Sequence, residues 1–199
     1  MSVIRAFIAI DLSAEIQEKL EQISRQLRQQ LRGSPVRWVP TQNIHLTLRF
    51  LGNVSSANLE VLENILLAEA SHHASFEISV GELSAFPSTH RPRVILVRVQ
   101  APQEMGQLQR SLEEAIRRLG YAPEEREFKP HLTLGRVSRS ANSTEVQQIG
   151  QVLDNTNIGF VGAMHVRSVN LYRSDLQPSG AVYTCLFTAN LLEGEHLGS

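Results

Sequence analysis

The tetrapeptide His45-Leu46-Thr47-Leu48 recurs in the second half of the chain as His131-Leu132-Thr133-Leu134. Of the seven histidines, these two have a threonine two positions on. On an extended strand, residues i and i+2 point to one face. Each copy therefore sets an imidazole beside a hydroxyl, with its leucines turned the other way, towards a core. If the two halves are related by an approximate two-fold, two imidazoles and two hydroxyls converge on one small group. An unperturbed imidazole titrates at about pH 6.5, so one ring can accept a proton while another donates one. In-line displacement at phosphorus asks for that division: a base beside the entering oxygen and an acid beside the leaving oxygen. Threonine hydroxyls can hold the oxygens between them.

Other chemistries fit less well. Zinc takes three or four ligands, and no HxH, HExxH or nearby cysteine–carboxylate set accompanies either histidine. No Gly-x-Ser-x-Gly elbow marks a serine nucleophile. Neither a metal nor an organic cofactor is expected. Cys185 is the one cysteine and cannot form an internal disulfide. Its surroundings, AVYTCLFTANLL, read as a buried strand, which makes it a small core residue. His72, His73, His90, His165 and His196 lack a comparable context and are read as surface or structural groups.

Strands and helices must carry the two motifs to a common place. Residues 3–10 are apolar and β-branched, the mark of an opening strand. Asp11 or Ser13 caps a helix whose apolar positions, Ile16, Leu20, Ile23, Leu27 and Leu31, draw one stripe. Residues 36–39 form a short extended piece. The first motif lies on an alternating strand, 44–51, that Gly52 is expected to break. Ser55 or Ser56 caps a helix with Leu59, Leu62, Ile65 and Leu66. Strands follow at 76–80 and 94–99, separated by a loop holding Pro87, Ser88, Thr89, His90, Arg91 and Pro92. A helix over 102–119 carries Met105, Leu108, Leu112, Ile116 and Leu119. The second motif opens a strand over 131–137. Ser143 or Thr144 caps a helix with Val146, Ile149, Val152 and Leu153. Late strands near 160–172 and 181–191 are joined by a turn at Asp175, Pro178, Ser179 and Gly180. Residues 195–199 are expected to fray. The order of elements repeats between the halves, with no long linker, so residues 1–199 read as one bilobed unit. Mixed strands and helices with short connections indicate an α+β or α/β sandwich.

Composition bounds the function. Hydrophobic residues make up 42% and charged residues 20% of 199, which excludes wholesale disorder. No apolar run reaches the roughly 20 residues of a membrane span, and the opening MSVIRAFIAIDL is too punctuated for a signal peptide. A cytoplasmic protein without membrane association is expected. A net charge of −1 argues against coating nucleic acid by charge alone. Among the 19 basic residues only Lys19 and Lys129 are lysines. Arginine's planar fork suits two-point contact with phosphate. Arg49 shares the polar face of the first motif on strict alternation and is a candidate phosphate contact or, equally, a solvated side chain. Arg91 and Arg93 lie in a loop-to-strand segment and are candidate substrate contacts. Phe7, Trp38, Phe50 and Phe86 could stack on a base; core packing is the expected role, with Trp38 and Phe86 the exceptions because they flank loops.

The paired motifs, with the flanks RAFIAIDL, WVPTQNIHLTLRFLG, FPSTHRPRVILVRV, FKPHLTLGRV and LYRSDLQPSGAVY, resemble the 2H phosphoesterases. Within them the chain is similar to the bacterial and archaeal RNA 2′,3′-cyclic phosphodiesterases, also called 2′-5′ RNA ligases. The resemblance covers nearly the whole chain. It implies an α+β, bilobed, pseudo-two-fold fold, two antiparallel sheets facing a central cleft with helices on the outside. It implies metal-independent hydrolysis of a terminal 2′,3′-cyclic phosphate to a 2′-phosphomonoester, on tRNA-like or short RNA ends, by a monomer. His45 resembles the proton donor and His131 the proton acceptor; spacing alone allows either order. Thr47 and Thr133 would hold the phosphoryl oxygens. Arg136 matches the basic residue after the second motif, but strict alternation turns it away from His131 unless the strand ends or bulges at Gly135. The alternatives are 2′-5′ RNA ligation by the same residues, or a non-catalytic module that binds nucleotides or RNA ends.

Overall fold

Short apolar repeats and well-placed caps set the order of elements. The computed structural model describes residues 2–178 and 180–193. The chain runs β1 (Val3–Ile10), α1 (Ala14–Gln30), β2 (Val36–Trp38), β3 (Leu46–Ser55), α2 (Leu59–Ala70), β4 (Phe76–Phe86), β5 (Val94–Gln100), α3 (Gln103–Arg118), β6 (His131–Val137), α4 (Ser143–Asn155), β7 (Phe160–Val166), β8 (Ser168–Gln177) and β9 (Gly180–Asn190). In α1 the Ser13 hydroxyl accepts from the Ile16 N–H at 3.4 Å. Ile16, Leu20 and Leu27 then fall on one buried stripe. Each such fully buried side chain is worth roughly 1.5–3 kcal/mol. Asn142, not Ser143 or Thr144, caps α4: its side chain accepts from the Glu145 N–H while the Glu145 carboxylate accepts from the Asn142 N–H. Asparagine outcompetes its neighbours because this reciprocal arrangement satisfies two end donors at once.

The strands form two antiparallel sheets. One has the order β3-β1-β8-β9 and the other β2-β6-β5-β4-β7. Helices α2 and α3 lie against the first sheet; α1 lies against β7 and α4 against β4 of the second. The helix-covered faces hold the main core, from Ile8, Ile10 and Leu46 on one side to Ile95, Val97 and Leu132 on the other. This is the α+β architecture of two antiparallel sheets with outer helices. The sheets correspond position by position, β3-β1-β8-β9 with β6-β5-β4-β7, and β2 is an addition at one edge. Among the described residues no helix is long and apolar enough to cross a membrane.

Several boundaries differ from the expected ones. Gly52 does not end β3: it takes φ +68° inside the strand, beside an irregularity in the β1 pairing, and the strand runs on to Ser55. Glycine tolerates that conformation without the Cβ clash other residues meet. β4 runs past Val80 to Phe86, because a comparable irregularity at Glu82, φ 66°, lets it continue pairing with β5. The expected strand over 160–172 is two strands that break at Arg167 and belong to different sheets. Ser179, His196 and the segment 195–199 lie outside the described residues.

Candidate active site

On the face of the first sheet turned away from the helices, Phe7, Ala9 and Tyr172 form a second buried cluster with Tyr183 packed against it. The Phe7 and Tyr172 rings stack with centroids 5.3 Å apart. His45, immediately before β3, enters this cluster: its ring centroid is 4.8 Å from Tyr172 and 5.7 Å from Tyr183. The lead-in is fixed from both sides. The Thr41 hydroxyl donates to the Glu21 carboxylate, and the Asn43 side chain donates to the Ala181 carbonyl at 2.7 Å. That bond from Thr41 holds the Glu21 carboxyl below its ordinary ionisation range. His45 Nδ1 is buried and has no hydrogen-bond partner among the described residues. Its Nε2 lies 3.5 Å from Asp11 Oδ1. The same oxygen accepts a 2.6 Å hydrogen bond from the Tyr172 hydroxyl. Burial, and then this bond, push the ionisation of Tyr172 far up, so its hydroxyl remains a donor.

His131 is held differently. Its Nδ1 lies 2.7 Å from the Lys129 carbonyl oxygen. A carbonyl can only accept, so Nδ1 carries the hydrogen and Nε2 keeps its lone pair in the neutral ring. The Phe86 ring meets His131 edge-on at 5.1 Å. Arg98 is the cross-strand partner of His131. The environments of the two imidazoles are thus unlike: a carboxylate faces Nε2 of His45, and a carbonyl occupies Nδ1 of His131.

Matching irregularities follow the two motifs. Across β1 and β3, Ala9 pairs with Thr47 and Ile8 with Arg49, so Leu48 is an extra residue. Across β5 and β6, Leu96 pairs with Thr133 and Ile95 with Gly135, so Leu134 is extra. A single inserted residue exchanges the faces of everything beyond it. Past Leu134, Arg136 pairs with Val94 and so returns to the face of Thr133 and His131. This bulge, at Leu134 and so just before Gly135, is what Arg136 needs in order to face the motif. Past Leu48, Phe50 pairs with Phe7 on the aromatic face and is 57% exposed.

The same insertion overturns the expectation for Arg49. It pairs with Ile8 on the helix-covered face and is 7% exposed. Its Nε lies 2.6 Å from the Glu113 carboxylate, an ion pair whose angle falls outside hydrogen-bond geometry. Its Nη atoms donate to the carbonyls of Phe50 and Ala122, and Glu124 stands at 3.8 Å. Arg49 is therefore a clamp on the segment after α3, not a phosphate contact. Phe50 likewise leaves the core where simple alternation had put it. Cys185 is exposed instead of buried, because an extra residue, Leu186, in β9 aligns it with Tyr172. Trp38 pairs with Gly135 and packs on the core side, where a Cβ at Gly135 would meet its ring at 3.1 Å. Arg91 and Arg93 line a cavity of about 450 Å³ with Pro87, Ala141, Ser143 and Val146, none of them a motif residue. Thr47 and Thr133 each share a face with their motif histidine and are half-buried. Motif spacing does not single out Asp11, Tyr172 and Tyr183, which surround His45. The alternation Asn170, Tyr172, Ser174 against Val169 and Leu171 along the late strand was the available signal. Asp11, directly after the opening strand, reads in the sequence as a helix cap.

β3 and β6 approach to within 8 Å between Cα atoms, so the two motif strands run close together where the sheets meet. This paired arrangement is that of a two-lobed phosphoesterase. A family model described as LigT like Phosphoesterase matches the chain twice, over residues 10–96 and 97–183, one motif in each. The chain belongs to that family. It is 34% identical over 181 residues to an RNA 2′,3′-cyclic phosphodiesterase of Methanothermobacter thermautotrophicus, covering 91% of this chain and 95% of that protein. A protein of the same description from Archaeoglobus fulgidus is 35% identical over 179 residues, covering 90% and 96%. Among solved structures, a protein of Thermus thermophilus superposes with a TM-score of 0.78 at 26% identity, covering 96% of this chain and all of that one. E. coli LigT complexed with 3′-AMP gives 0.74 at 27% identity, covering 96% and 99%.

Proposed function

We propose that this chain is a metal-independent RNA 2′,3′-cyclic phosphodiesterase. Water attacks phosphorus opposite the 3′ oxygen, and His131 Nε2 takes the proton that water loses. The bond from phosphorus to O3′ breaks with its electron pair going to oxygen, and the proton on His45 Nε2 passes to that oxygen. The product carries a 2′-phosphomonoester and a free 3′-hydroxyl. Thr47 and Thr133 donate to the non-bridging oxygens, and Arg136 neutralises charge that builds on them. Residues 1–199 work as one bilobed body, a monomer in the cytoplasm, on RNA ends.

The observation that carries this reading is the unlike setting of the two rings. A lone pair at Nε2 of His131 suits a base. A carboxylate beside Nε2 of His45 marks a nitrogen that holds a proton. The relatives' descriptions and their coverage of the chain support the reaction class. An assay with adenosine 2′,3′-cyclic phosphate in EDTA, with the product identified as the 2′- or 3′-phosphate, tests it. Turnover to the 2′-phosphate is expected, falling at least about 10²-fold in His45→Ala and in His131→Ala. Activity abolished by chelation and restored by zinc, or near-normal turnover in either variant, would refute it.

A further inference from the structure

Arg37 on β2 stands directly opposite Arg136 on β6. Directly paired residues share a face, and Arg136 shares the face of Thr133 and His131 beyond the bulge. Both arginines are exposed, and neither guanidinium has an ion pair or hydrogen bond among the described residues. Like charges directly opposite one another destabilise a strand pair, their Cβ atoms being about 4.5–5.5 Å apart. The placement is not a by-product of a basic protein, because the net charge is −1. Edge strands do use charge to block further pairing. Either sign would serve that purpose, and no second cation would be needed across the strand. The strand that presents Arg37 is anchored: Trp38 packs over Gly135, and the Arg28 guanidinium lies 5.9 Å above the Trp38 ring. Two unpaired cations held side by side next to the motif call for an anion between or beyond them.

We propose that Arg37, one strand outside Arg136, binds the backbone phosphodiester on the 5′ side of the reacting nucleotide. The substrate class is then an RNA chain end, in preference to a free cyclic nucleotide. This rests on the phosphodiesterase function proposed above and adds a second phosphate subsite to it. β2 lies at the edge of its sheet, which leaves room for the chain to run outward from the reacting end.

The test compares three substrates with wild type, Arg37→Ala and Arg37→Lys. They are adenosine 2′,3′-cyclic phosphate, the same nucleotide with a 5′-monophosphate, and a dinucleotide ending in a 2′,3′-cyclic phosphate. Arg37→Ala should lower kcat/KM on the dinucleotide about tenfold more than on the nucleoside, through KM, as expected for one charge-assisted phosphate contact. Arg37→Lys should recover part of that loss. The slope of log(kcat/KM) against log salt on the dinucleotide should flatten by about 0.7 in Arg37→Ala, the share of one phosphate on a single strand. Equal losses on all three substrates, or none, would overturn the subsite. A 5′-monophosphate that behaves like the dinucleotide would replace the chain phosphodiester with a terminal phosphate and overturn the chain-end preference. Failure of the wild type on every substrate would instead remove the phosphodiesterase function beneath it.

Discussion

Replacing Arg49 by Met separates a structural clamp from a substrate contact. The guanidinium is 7% exposed, its Glu113 partner has a side chain 21% exposed, and Glu124 is 40% exposed. Removing one member of a buried ion pair costs about 3–5 kcal/mol, because the other charge is left without compensation. Glu113 retains some water and Glu124 can turn outward, which puts the expected loss at the low end, about 3 kcal/mol. The carbonyls of Phe50 and Ala122 also lose their donor. For a chain of this size each kcal/mol lowers Tm by about 2–4 °C, so the variant should melt about 6–12 °C lower. Met fills much of the same volume, so packing alone explains little of that drop. The double variant Arg49→Met/Glu113→Leu should recover about 2 kcal/mol, since neither charge is then stranded. The assay is thermal or urea unfolding of all three proteins, with kcat/KM on a cyclic nucleotide measured well below the lowest Tm. A roughly tenfold rise in KM with Tm unchanged within about 2 °C would show Arg49 reaching the phosphate, and the inference from the inserted Leu48 would be wrong.

Asp11→Ala should slow hydrolysis about tenfold, a fraction of what a general acid is worth, because the carboxylate beside His45 Nε2 and the acceptor for Tyr172 both go. The loss should shrink on a substrate whose 3′ bridging atom is sulfur, which departs without a proton; an equal loss on both would exclude Asp11 from orienting the acid. Phe50→Ala should weaken binding of a cyclic nucleotide about 5- to 100-fold, the scale of one base–aromatic stack. An unchanged KM would leave Phe50 as a bare surface ring.

The elements that bury stripes were legible in the sequence, and the places where strands gain a residue were not. α1 and α3 follow from the spacing of Ile16, Leu20 and Leu27, and of Met105, Leu108, Leu112 and Ile116, all of them buried. Helix burial depends on a local period that the sequence carries directly. The strand faces failed at Leu48, Leu134 and Leu186, because an insertion relative to a partner strand is a property of two segments together. Leucine is compatible with either outcome at each position. Hence strict alternation misplaces Arg49, Phe50 and Cys185, and it places Arg136 only if the strand bulges beside it. Asp11, just past the end of β1, and Tyr172 on β8 reach His45 from distant parts of the chain, and neither residue type distinguishes a partner from a cap or a core aromatic.

The two insertions also account for how a nearly symmetric fold yields an asymmetric site. Leu48 and Leu134 occupy equivalent places, the fourth position of each motif, and each exchanges the faces of the two residues that follow. After the first, the inward residue is Arg49 and the outward one Phe50; after the second, they are Gly135 and Arg136. The open face therefore receives an aromatic ring from one lobe and a guanidinium from the other. Those are complementary means of holding a nucleotide, a surface for the base and a charge for the phosphate. The covered faces diverge in the same way. Arg49 needs the carboxylates of α3 and the segment after it, whereas Gly135 leaves the space that Trp38 fills. On the proposed function, exchanging Phe50 and Arg136 alone would keep both insertions and both histidines but reverse where base and phosphate would be held. Such a double variant should fold, since both positions are exposed. It should also lose most of its kcat/KM, because the base would then be carried to the wrong side of the acid and the base catalyst. Wild-type turnover in that variant would mean that the two lobes are interchangeable, and that the order of His45 and His131 is not set by the residues their insertions expose.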